Sequence, residues 1–410
     1  MSSFTARVVP SIAAIGEAAW EACANPAGLP FEEAAGERFN PFLSHAFLEA
    51  LEASGSVGGR TGWAPAHLAV EDAAGRMVAA APCYLKSHSQ GEYVFDHAWA
   101  DAYERAGGSY YPKLQVAVPF TPVTGRRLLV AADAPEGARE ALIGALRALR
   151  RETKTSSIHL TFPTAEDSER LSKAGFLIRT GEQFHFSCDG FANFDDFLGA
   201  LASRKRKVIK RERREALDSG IAVEQLTGAA IRAEHWDAFF RFYMHTGSRK
   251  WGRPYLTRAF FDAIGSTFAD RVLLVMARRA GRYIAGAINF IGDDALYGRN
   301  WGAIEHHPFL HFEVCYYQAI DFALAHGLRR IEAGAQGEHK LARGYRPTLT
   351  YSAHEFADPR LARAIADYLG HERDAVERTI AHYQEYAPFR RDDGGARGSQ
   401  EMGEAFDAEV

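Results

Sequence analysis

Residues 333–347 read AGAQGEHKLARGYRP and set an acid, a histidine, a lysine and two arginines among three glycines. The strand-like run LRRIEA comes just before. The polar groups therefore begin at the carboxyl end of a strand, where open α/β sheets bind ligands. Glu338–Arg343 is expected to form one or two helical turns that Gly344 ends. Lys340 and Arg343, three residues apart, then share a face and are placed to grip a phosphate or carboxylate. A solvated charged helix is the bland alternative, but glycines so close to an apolar strand favour a pocket rim. The glycine spacing matches no nucleotide fingerprint, which excludes a phosphate loop.

One element earlier lies FLHFEVCYYQAIDFALAHG, apolar nearly all round and so expected to be a buried helix. A helical wheel puts Glu313 on one face with Tyr317, Ile320 and Leu324. Burial there would raise its pKa and suit it to general acid or base work; a tie to a neighbouring arginine or tyrosine is the equal alternative. His311 falls with Cys315 and Gln318 on another face, as a proton carrier or a hydrogen-bonded core histidine. The wheel points Glu313 and His311 in nearly opposite directions.

Upstream, SRKRKVIKRERREA holds Arg204, Lys205, Arg206, Lys207, Lys210, Arg211, Arg213 and Arg214 within eleven residues. This basic helix either binds RNA or an anionic carrier, or is a solvated amphipathic helix resting on Val208, Ile209 and Leu217. The whole chain has a formal net charge of −4, so such binding must be local. Several chemistries are excluded by their missing motifs: no Walker loop, no dinucleotide fingerprint and no G-x-S-x-G elbow. HEFAD and HERDA lack the second histidine of a zinc helix, and Pro308 leaves His307 outside the helix of His311. No metal site is expected. The four cysteines are far apart in sequence, as in a reducing, cytoplasmic compartment. No signal peptide is read in the first residues, and no run nears the roughly 18–20 apolar residues that span a bilayer.

The elements that must position these groups run in the same order twice. Strand, helices, antiparallel strands, helix, strand, helix, strand is the order of the acetyltransferase (GNAT) fold. The expected fold class is thus α/β with mixed sheets, as tandem GNAT-like domains over residues 1–190 and 191–389, followed by a disordered tail over 390–410. Ser44 is expected to cap the helix HAFLEALEA. Pro112, Pro119 and Pro122 make YYPKLQVAVPFTPVTGRRLLV an edge or irregular strand. Two helices are expected between Pro359 and Tyr386. At the coenzyme A loop of the GNAT fold the chain offers RNWGAI. Arg299 and Gly302 fit that pattern, but Ile304 stands where a tiny residue is needed, which argues against the usual coenzyme A mode.

The segments LHFEVCYYQAI, GAQGEHKLARGYRPTLTYSAH, NPFLSHAFLEALEASGS, YYPKLQVAVPFTPVTGRRLL and KWGRPYLTRAFF resemble those of FemAB-like predicted bacterial N-acyltransferases, over about residues 40–389. That family is similar in fold to the Fem aminoacyl transferases of peptidoglycan cross-bridge synthesis, though no coiled-coil insertion is found here. The resemblance implies transfer of an activated acyl group to an amine, on a cell-wall precursor or a small metabolite. It implies no tightly bound cofactor, and a donor that is an acyl-coenzyme A, an acyl carrier protein or an aminoacyl-tRNA. The basic helix would receive the tRNA or carrier. It carries over Glu313, Tyr316, Gln318, Gln336, Glu338, His339, Lys340, Arg343 and His354. Glu313 or His339 is the expected base, with a backbone amide or Tyr316 as oxyanion donor and His311 as a further catalytic candidate. Lys340 and Arg343 are expected to hold a phosphate-bearing substrate, with Arg299, Trp301, Tyr111 and Lys113 as further contacts. A non-catalytic RNA- or ligand-binding protein on the same fold is the alternative.

Overall fold

The computed structural model describes residues 3–26, 39–250, 254–334, 337–385 and 388–390. The first half supplies strands β1 (Thr5–Val9), β2 (Trp63–Pro65), β3 (His67–Glu71), β4 (Met77–Ala81), β5 (Cys83–Lys86), β6 (Lys113–Val116), β7 (Leu129–Val130), β8 (Ser157–Thr161) and β9 (Leu177–Ser187). The second supplies β10 (Ile221–Thr227), β11 (Val272–Arg279), β12 (Arg282–Ile291), β13 (Ala295–Ala303), β14 (Arg330–Glu332) and β15 (Arg346–Phe356). Among the described residues, eleven strands form one mixed sheet in the order β10-β11-β12-β13-β14-β9-β15-β8-β6-β5-β2, and the other four form a small antiparallel sheet.

Two parallel pairs stand in the large sheet, β6 with β8 and β13 with β14. Each needs a crossover, and a helix supplies it: Ala138–Thr153 in the first half, the buried helix ending at Ala325 in the second. The last strands are exchanged. β14 pairs with β9 of the first half, and β8 with β15 of the second. β9 and β15 then join antiparallel, from Arg346 opposite His185 to His354 opposite Leu177. The halves also share a core, where Phe42 and Phe47 pack their rings 5.1 and 5.4 Å from Phe290.

Local signals explain most elements. Ser44 caps Phe47 as expected, with its hydroxyl accepting from the backbone amide. Two sequence expectations need correction. Lys113–Val116 is an interior strand, because Pro112 and Pro119 flank its four residues and take no amide from the ladder. The run after β15 is one helix, Pro359–Glu385, with Leu361, Ile365 and Leu369 buried at helical spacing. The closing segment of the first half is one eleven-residue strand, β9. The tail over 391–410 lies outside the described residues, as does Gln336. No helix among the described residues is long and apolar enough to cross a membrane.

Candidate active site

The site begins with a parting of strands. β13 and β14 pair only where Ala295–Tyr297 meets Arg330–Glu332; β13 then runs on to Ala303 while the chain of β14 turns away. A fork opens between them. At its mouth Ile288 faces Asn300 and Asn289 faces Gly298, so Arg299 is the extra residue of a β-bulge, a device that re-aims one side chain. Its guanidinium reaches the first half, donating to the Phe120 carbonyl at 2.6 Å, with the Phe42 ring 6.0 Å away. Among the described residues no carboxylate is hydrogen-bonded to it.

Strand alternation sorts the surrounding residues onto two faces. Ile331, Phe184 and Phe186 belong to the core covered by the buried helix. Arg330 and Glu332 on β14, and Gln183 and His185 on β9, therefore turn to the opposite face. Glu332 stands directly across from His185 in the ladder. Its Oε1 accepts from Arg330 Nε at 3.1 Å; its Oε2 has no hydrogen bond and lies 3.7 Å from His185 Nε2. Glu332 is 3% exposed, and burial, only partly opposed by Arg330, raises its carboxyl above the usual range. Burial, helped by Arg330 and Lys340, pulls His185 down to about 3, so its ring is neutral. Gln183 donates to the Pro122 carbonyl at 2.7 Å. None of these three was singled out from sequence, although Glu332 ends a strand just as the strand-end rule requires.

On the other face the buried helix is broken by a π segment, Glu313–Tyr317, between Leu310–Phe312 and Gln318–Ala325. The five-residue turn brings Gln318 onto Glu313, Nε2 to Oε1 at 2.7 Å, where a regular wheel sets them apart. The expected separation of these two residues is thus corrected. Glu313 itself is held by Arg213, whose Nε and Nη2 lie 3.0 and 2.9 Å from its two oxygens. Of the two readings the arginine tie is the one found, and both carboxylate oxygens are already engaged. Tyr316 and His339 come together, hydroxyl to Nε2 at 2.9 Å. The His311 ring sits 5.2 Å from Trp301, 5.4 Å from Tyr316 and 6.1 Å from His339, centre to centre. Burial raises the Tyr316 hydroxyl far above its usual pKa, so it stays protonated and able to donate.

The glycine-rich segment closes the fork. Gly337 has φ +113°, and a Cβ there would fall 2.3 Å from the His339 ring, so only glycine lets the histidine fold back. Glu338–Arg343 is a 3₁₀ turn that Gly344 ends in the left-handed region, as expected. Lys340 is 3% exposed and donates to the Ala333 and Gly334 carbonyls at 2.6 and 3.1 Å; burial brings its pKa down to about 7. Arg343 donates to the His339 carbonyl at 2.7 Å and to Glu212 at 2.9 Å, with its guanidinium 3.3 Å over Phe312. The expected paired anion grip is corrected: Arg343 is already paired with Glu212, while Lys340 has no acid bonded to it among the described residues. The side chain of Glu338 lies outside the described residues.

Tyr111, Lys113 and His354 gather elsewhere, beyond β9 and β15 from the fork. Lys113 is fully buried and donates to Ser89, Glu92 and Asp96 at 2.8, 2.7 and 2.5 Å. Tyr111 bonds Ser89 at 2.8 Å, and His354 meets His159 nitrogen to nitrogen at 2.6 Å. This network pins the loop before Asp96, and its cation has its carboxylates already.

Solved structures resemble this architecture. FemX superposes with a TM-score of 0.51 at 14% identity, over 82% of this chain and 98% of FemX, so the two share a fold. A tandem GNAT protein from the clavulanic acid biosynthesis pathway gives 0.48 at 12% identity, over 87% and 99% of the two chains. L-PGS from Bacillus licheniformis gives 0.48 at 9%, over 84% and 96%. The fold is mixed α/β, and it is the fold of FemX. A family model described as peptidoglycan biosynthesis/recognition matches residues 11–391, and the chain belongs to this FemAB-like family of acyltransferases. No curated protein sequence matches it.

Proposed function

We propose that the protein transfers an activated acyl or aminoacyl group to an amine on a peptidoglycan precursor, and that the fork between β13 and β14 is where it does so. The observation that carries the reading is the pair of cations at the fork, Arg299 and Lys340, neither bonded to a carboxylate among the described residues. A buried cation without an acid favours an anionic or carbonyl-bearing ligand, such as a donor phosphate or the oxyanion of acyl transfer. The protonated Tyr316, held by His339, is the expected oxyanion donor.

Donor class follows from two further features. A Cβ at Gly302 would meet the Phe242 backbone at 2.3 Å, so that glycine serves helix packing, and Ile304 lies beyond β13 where coenzyme A would need a bare backbone. The helix Ser203–Leu217 exposes Arg204, Lys207, Lys210, Arg211 and Arg214. Both favour an aminoacyl-tRNA or an acidic carrier over free coenzyme A. The four cysteines, none in a disulfide, suit a reducing compartment. The test is transfer to a lysine-bearing muramyl pentapeptide from acetyl-coenzyme A, acetylated acyl carrier protein or alanyl-tRNA. Product is expected from a carrier-bound donor and is expected to fall at least tenfold in Arg299→Met. RNA binding with no product from any donor would instead favour a non-catalytic role.

A further inference from the structure

The acceptor amine must lose protons somewhere, and the residues expected for that task are placed poorly for it. Glu313 is clamped by Arg213, and the His339 Nε2 is engaged by the Tyr316 hydroxyl. The opposite face of the fork offers a different group. Glu332 is the last residue of β14, at the point where the strands part. Arg330 fixes one of its oxygens and leaves the other without a donor. Facing that oxygen across the ladder is His185, and the charges of Arg299 on the bulge and Asp294 also act on the carboxyl.

Resting on the transferase reading above, we propose that Glu332 is the general base for the acceptor amine, that His185 is its positioning partner, and that the acceptor enters between the two halves of the chain. The ammonium gives one proton to Glu332 Oε2, and its freed lone pair attacks the acyl carbon. The C–N bond forms, the bond from carbon to the donor oxygen or sulfur breaks, and a second nitrogen proton goes to that leaving group. The proton on Glu332 passes to solvent beside His185. Acyl donor and ammonium thus give amide, protonated leaving group and one released proton, with no other reactant. Two independent features suit Glu332 to the task. Burial keeps its carboxylate more basic than an exposed glutamate, and Arg330 holds it to one orientation. His185, neutral and 3.7 Å away, cannot neutralise it as a cation would.

The experiment is the pH dependence of transfer from alanyl-tRNA, or whichever named donor is used, to the muramyl pentapeptide, with donor binding followed in parallel by native mass spectrometry. In the wild type kcat/KM is expected to fall on the acid side with an inflection above the ordinary glutamate value of about 4.3. Glu332→Gln is expected to bind donor normally and lose about 10²- to 10⁴-fold in kcat. Glu332→Asp is expected to keep measurable turnover with a displaced acid limb, and His185→Gln to shift that limb with a smaller loss. Glu332→Gln within threefold of wild type, or a wild-type profile without the acid limb, overturns the assignment while leaving the transferase reading intact. The wild-type profile needs no variant, so a misfolded Glu332→Gln does not shelter the proposal. A wild type that binds these donors but acylates no amine overturns both readings together.

Discussion

Both oxygens of Glu313 face one guanidinium, and that arrangement decides what substitutions there do. Arg213→Met strands a carboxylate that is 1% exposed, at a cost of about 3 kcal/mol, since removing one partner of a buried pair leaves an uncompensated charge. Glu313→Gln leaves Arg213 its second acid, Asp321 at 2.6 Å, and is expected to cost only about 1 kcal/mol. Urea unfolding midpoints of the two variants test the order; equal losses would remove the pair as an anchor. Lys340 makes a pH prediction. Its folded pKa of about 7 lies below the ordinary 10.5, so between those values the unfolded chain binds more protons and stability rises with pH. The stability of wild type relative to Lys340→Met should therefore climb from pH 7 to pH 10 and lie flat below pH 6. The loop turn ended by Gly344 and the burial of Glu313 were legible in sequence because both depend on local spacing. Glu332 was not, because alternation shows only that it opposes Ile331, and which face receives the substrate depends on a strand 147 positions away in the chain, the one holding His185.

A helical wheel assumes 3.6 residues per turn, and the π segment breaks that assumption for every residue after Glu313. No sequence signal marks the break; it shows itself in Gln318 bonding a residue five positions back. The basic helix was easier to read, but only in part. Ile209, Glu212 and Ala216 form its buried face, and Glu212 there joins Arg343 to Tyr317, while Arg204, Lys207 and Lys210 are exposed on the other side. Arg204, Lys207 and Lys210 have no acid bonded to them among the described residues. Reversing these three to glutamate is expected to move stability by no more than about 0.5 kcal/mol each. If the helix receives a tRNA, the same change should flatten the slope of log affinity against log salt by about 0.7–0.9 per lost contact. Filter binding of tRNA across a salt series reads this directly, and an unchanged slope would place the tRNA elsewhere or nowhere.

At the scale of the molecule, the exchange of last strands sets how the two halves depend on each other. In the large sheet, among the described residues, β9 pairs only with β14 and β15, both from the second half, and β15 only with β8 and β9, both from the first. A chain cut near residue 190 therefore deprives each fragment's eleven-residue strand of every neighbour it has. An unpaired strand exposes its amides and carbonyls along both edges, which costs stability and invites aggregation. The shared phenylalanine core adds to the loss, since Phe42 and Phe47 would part from Phe290. Element order suggests two units of ordinary domain size, yet the pairing makes them thermodynamically one. Full-length protein is expected to unfold in urea in a single transition, with near-ultraviolet and far-ultraviolet signals coincident. Residues 1–190 and 191–390 made separately are expected to be insoluble or molten, and to regain the cooperative transition when refolded together. Since Glu332 and His185 meet only across that junction, transferase activity should return with the transition and not before it. A fragment that folds cooperatively alone would show that the exchanged strands are dispensable to it.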